Sequence, residues 1–129
     1  MKNLLIVKSA VEMLAGVALA LFPSAVVPLL IGSPLDAASG IVVGRMAGAA
    51  LLTLGIACWL ARNDSQSRAA FGLVMALLFY DAAVVVILLT TRFGMQLSGI
   101  GLWPAAIVHS GLGIWSVFCL RKASGFVDK

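Results

Sequence analysis

Glu12, Arg45, Asp81 and His109 each interrupt a stretch of sequence that is otherwise almost wholly apolar. An ionisable side chain in hydrocarbon costs roughly 2.5–3.5 kcal/mol on insertion scales, so each of the four needs a partner or a purpose. Together they form a candidate intramembrane polar site. Glu12 reads as a protonatable carboxyl that binds a cation or couples proton movement, or else as half of an ion pair with Lys8 or Arg45. Asp81 reads as a second such carboxyl, or as the hydrogen-bond partner of His109 or of neighbours on the Tyr80 side. Arg45 lies about one turn inside its apolar stretch, where snorkelling to the headgroups is the expected behaviour. His109, the only histidine, could ligate a metal or haem iron, but neither cysteine shares its depth and a bis-histidine haem would need two subunits. A hydrogen bond from His109 to Asp81 or Ser110 is the simpler expectation.

The chemistry these residues lack narrows the reading further. The chain has no HExxH pair, no glycine-rich phosphate loop after a strand, and no nucleophile beside a potential Asp81–His109 acid–base couple. No catalytic residue, metal ligand set or cofactor is therefore assigned, and enzyme activity is not expected. Net charge is +4, but the basic residues flank apolar segments and form no patch with interleaved aromatics, so nucleic-acid binding is rejected.

The elements that must position these side chains follow from composition and length. Hydrophobic residues are 62% of the 129 and charged residues 11%, against about a quarter charged in soluble domains, which leaves too little polar surface to face water. Four apolar stretches, at about 4–22, 40–61, 69–91 and 102–120, are each long enough to cross a bilayer as a helix. The third is the cleanest, with Asp81 as its single charge, and Pro104 falls in the first turn of the fourth, where its missing N–H costs nothing. The start of the chain imitates a secretory signal, but Lys8 and Glu12 inside its apolar part favour a retained first helix.

Pro23, Pro28 and Pro34 break the apolar segment at about 23–36, which is expected to be non-helical and to lie along the membrane interface. Lys2, Lys8, Arg62, Arg68, Arg121, Lys122 and Lys129 fall on one side, with Arg92 and Arg45 on the other, so both termini are expected in the cytoplasm. Trp59 and Trp103 near opposite span ends suit an interfacial aromatic belt, while Trp115 and Tyr80 lie deeper. Cys58 and Cys119 read as buried free thiols.

Helix packing is legible in the small residues. Lys8, Glu12, Gly16 and Ala20 form one stripe, Gly40, Gly44 and Gly48 a second, and Ala106, His109, Gly113 and Ser116 a third. Gly16, Gly40, Gly44, Gly48 and Gly113 are the expected packing glycines. Ser39-Gly40-Ile41 and Leu54-Gly55-Ile56 recur as Ser98-Gly99-Ile100 and Leu112-Gly113-Ile114, consistent with a parallel two-helix repeat or with chance. A small four-helix chain with Glu12 in its first helix and the run Ser110-Gly111-Leu112-Gly113-Ile114 resembles the small multidrug resistance transporters. That resemblance implies a membrane carboxylate at Glu12 used in transport. The family carries its glycine motif on the third helix, whereas here it is on the fourth, with a longer first loop and the additional Asp81.

The sequence thus predicts an all-α membrane protein, a single domain of four transmembrane helices with antiparallel neighbours in the inner membrane of a bacterial-type cell. Its expected role is that of a non-enzymatic accessory, structural or lipid-like-ligand-binding bundle, associating with the bilayer and with copies of itself or a larger membrane complex. The alternative is an oligomeric transporter or channel using Glu12 and Asp81.

Overall fold

The computed structural model describes residues 1–127, and Lys129, counted above among the flanking cations, lies outside the described residues. Five helices follow one another: α1 (Lys2–Leu21), α2 (Pro23–Ile31), α3 (Ala38–Ala61), α4 (Arg68–Gly94) and α5 (Leu102–Val127). No strand occurs among the described residues. By length and composition α1, α3, α4 and α5 are each able to cross a membrane. Their surfaces agree with that reading. Leu14 and Phe79 are 73% and 78% exposed, while Lys8, Glu12 and Asp81 are exposed by 1% or less. Water would impose the reverse distribution, and lipid removes the penalty on the apolar exterior.

The helix ends have local causes. α1 stops because Phe22 leaves the helical region (φ −129°, ψ 51°) ahead of Pro23. α4 begins at Ser67, whose hydroxyl accepts from the Ala70 N–H at 3.1 Å and satisfies one of the free donors of the first turn. The expectation of a non-helical 23–36 segment is corrected, since residues 23–31 form α2. Pro23 occupies the first turn, where no N–H is needed, and Pro28 removes only one bond from a nine-residue helix. Gly32 closes α2 in the left-handed region at φ 73°, its N–H bonding Pro28 O at 2.8 Å. Pro34 lies beyond that cap and so does not oppose the helix.

Helix α1 packs most extensively against α3, and α4 against α5; the two pairs meet through far fewer close backbone approaches. The α1–α3 crossing is built on glycine. A Cβ on Gly48 would stand 2.7 Å from Gly16 O, and one on Gly16 would stand 2.6 Å from Leu52 N, so the two backbones touch there. Gly44 lies against Pro23, and Gly40 against the side chain of Leu35. Gly55, which was not expected to matter for packing, makes an equally close approach to Met13 N. At Gly113, on α5, a Cβ would sit 3.6 Å from Asp81 Cβ on α4, an ordinary contact with no backbone within 4 Å.

One buried apolar cluster draws on all four long helices, through Leu4, Leu5, Cys58, Val74, Leu77, Leu112 and Leu120. A smaller cluster of Leu88, Leu102 and Ala106 joins α4 to the start of α5. The α1–α3 and α4–α5 pairs are also tied by backbone. Leu29 O and Leu30 O near the end of α2 accept from Gly101 N (2.8 Å) and Gly99 N (3.1 Å) in the segment leading into α5.

Candidate functional site

Beside the main apolar cluster, the interior is charged. Lys8 from α1 is fully buried, and its ammonium donates to Asp81 Oδ2 on α4. The other Asp81 oxygen, Oδ1, lies 3.0 Å from His109 Nδ1 on α5. One Asp81 oxygen accepts from an ammonium and the other faces an imidazole nitrogen, an arrangement that the Nδ1–H tautomer of His109 would satisfy. Tyr80 stands edge-on to the His109 ring, centroids 5.6 Å apart at 81°, and limits its rotation. His109 is the least enclosed member, with 13% of its side chain exposed.

Glu12, one turn along α1 from Lys8, completes the group. It is 1% exposed, and its Oε1 has no hydrogen-bond partner, the one such buried side-chain atom among the described residues. Glu12, Asp81 and His109 each present a donor atom within 4.8 Å of the others. Two carboxylate oxygens and an imidazole nitrogen form a donor set of the type that holds a divalent transition ion. Here, however, the Lys8 ammonium already sits on Asp81, and a dication would have to displace it against charge repulsion. The arrangement is better suited to holding and moving a proton or to hydrogen bonding a ligand.

Of the four residues singled out by depth, the structure gathers Glu12, Asp81 and His109 and leaves Arg45 out. Arg45 is exposed on α3, one residue past the buried Gly44 and so about 100° around the helix from the face turned to α1. Lys8 joins the cluster instead. The sequence pattern had paired Lys8 with Glu12 at i,i+4 or counted it among the flanking cations, whereas it bonds Asp81 from another helix. Its burial could have been inferred from its place on the Lys8, Glu12, Gly16, Ala20 stripe, since Gly16 marks that face as the packed one.

A groove runs between α4 and α5 on the outside of the molecule, with Asp81 and His109 at its floor and Leu78, Val85, Ile114 and Val117 among its walls. The missing side chain of Gly113 leaves room beside Asp81. Cys58 and Cys119 are both free, the first buried and the second partly so. At the end of α3, Arg62 stacks over the Trp59 ring at 3.6 Å and bonds the Trp59 carbonyl, the arrangement of an interfacial aromatic anchor. Compared with known protein families, curated sequences and solved structures, the chain matches none.

Proposed function

We propose that this protein is a non-enzymatic inner-membrane binding protein for lipid-like molecules. It is a four-helix bundle with antiparallel neighbours, in which the α1–α3 and α4–α5 pairs form the two halves of a parallel repeat and both termini lie in the cytoplasm. The observation that carries the reading is the α4–α5 groove, apolar along its walls and open outward, which ends on the Asp81–His109 pair. A site with apolar walls and a few convergent polar groups is the usual form of a small-molecule pocket. In a membrane-spanning chain this one faces acyl chains, so an amphiphile reaches it sideways from the bilayer.

The test is a photoreactive 16-carbon alkyl probe applied to the protein in nanodiscs, with mass spectrometric mapping of the adducts. Label is expected to concentrate on Val85, Val86, Ile114 and Val117 and to fall severalfold in Gly113→Leu. Equal labelling of the exposed Val42 and Val43 on α3 would count against the reading.

A second reading, proton-coupled transport by an oligomer, draws on the unpartnered Glu12 oxygen. The same protein in liposomes separates the two. Transport requires a pH-dependent flux that disappears in Glu12→Gln and Asp81→Asn while both variants remain folded.

A further inference from the structure

We infer that the groove selects an uncharged lipid-like molecule whose head group donates a hydrogen bond, a hydroxyl above all, and that His109 Nε2 is the atom that receives it. The inference rests on the proposed binding function and adds the chemical class of the head group.

It begins with a count of charge. Lys8 and Asp81 cancel in direct contact. Glu12 and His109 remain. An ionised Glu12, 1% exposed and with no hydrogen bond to Oε1, would be a buried anion without the partners that offset its lost hydration. A carboxylic acid in the same place carries no net charge and so loses far less hydration on burial. With Glu12 protonated, the four groups sum to zero when His109 is neutral, and burial in an apolar bundle favours that sum.

Orientation follows from the bonds already made. In a neutral imidazole one nitrogen donates and the other accepts. Nδ1 faces an Asp81 carboxylate oxygen at 3.0 Å and is therefore the donor, which makes Nε2 the acceptor. The ring is held by Asp81 on one side and by the Tyr80 edge contact. Its side chain is partly exposed and contributes to the groove floor. Nε2 is therefore the ring atom left to accept from a molecule in the groove, above a core of no net charge. A carboxylate or phosphate head would meet the Nε2 lone pair and the Asp81 anion. A quaternary ammonium would bring an uncompensated positive charge and no proton to donate. An alcohol satisfies Nε2 and adds no charge.

Gly113 lines the groove beside Asp81 and His109. The α1–α3 glycines permit backbone contact, but a Cβ at Gly113 would touch only Asp81 Cβ and Leu78 Cδ1, at 3.6 and 3.8 Å. A side chain longer than alanine's at 113 would enter the groove beside Asp81.

Four compounds with the same 16-carbon chain separate the possibilities: hexadecan-1-ol, its methyl ether, hexadecanoate and hexadecyltrimethylammonium. Each competes against the photoprobe for the groove in nanodiscs of zwitterionic lipid. The alcohol is expected to displace the probe at a concentration roughly tenfold or more below the ether, the ratio set by one lost hydrogen bond to a buried acceptor. His109→Phe, which keeps a ring and removes the acceptor, should make alcohol and ether equal competitors. If that variant does not fold, Ser110→Leu, which narrows the groove mouth and leaves the charged quartet intact, should abolish competition by the alcohol. Equal competition by ether and alcohol in the unmodified protein, or strongest competition by the ammonium, would overturn the inference while leaving a lipid-binding groove in place. Failure of all four to displace the probe would remove the binding reading itself, and the inference with it.

Discussion

Lys8 and Asp81 stand 73 positions apart in the chain and in contact in the interior. Removing either partner strands the other, and a lone buried charge typically destabilises by about 3–5 kcal/mol, whereas replacing both by uncharged groups is often close to neutral. Lys8→Met and Asp81→Asn are therefore each expected to lower the thermal midpoint in detergent sharply. The double variant should recover most of the loss, and additive losses would argue against a direct pair. The acidic residues and the histidine of this site are legible in the sequence because a charge amid apolar residues is visible one residue at a time. The partner assignment is not. Depth along a helix says nothing about which way a side chain faces, so Arg45 qualifies by depth although it points outward, and Lys8 is read as a flank although it points inward.

Among the helices, the four long spans are readable to within a few residues at most ends, because about 20 apolar residues leave few alternatives. Helix α2 is hidden by its prolines, since a proline in the first turn and one a turn further on look from composition like an irregular segment. The glycines divide by what stands opposite each. Gly48→Ala forces two backbones apart at the α1–α3 crossing and should cost about 1–3 kcal/mol, as overpacking does. Gly72→Ala, with nothing within 4 Å, and Gly113→Ala, with ordinary contacts only, should be neutral or slightly stabilising through helix propensity. Thermal midpoints of the three variants, measured side by side, test the ranking. A loss for Gly113→Ala as large as that for Gly48→Ala would place tight packing at the groove.

For the whole molecule, the burial of Lys8 removes one cation from the count that sets orientation. Lys2, Arg62, Arg68, Arg121 and Lys122 still outnumber Arg45 and Arg92, so the proposed topology stands on five residues against two. In a variant with Cys58 and Cys119 replaced by alanine, Gln66→Cys should react with a membrane-impermeant maleimide only from the cytoplasmic side, and Gln96→Cys only from the opposite side. Label on both from one side would refute the arrangement. The distance in sequence between Lys8 and its partner also has a consequence for biogenesis. At roughly 5–20 residues per second, about 4–15 s separate the synthesis of Lys8 from that of Asp81. Through that interval Glu12 is the only carboxylate that α1 and α3 possess. Until the third span is made, the one-turn pairing with Glu12 is thus the only carboxylate pairing that α1 and α3 can offer Lys8.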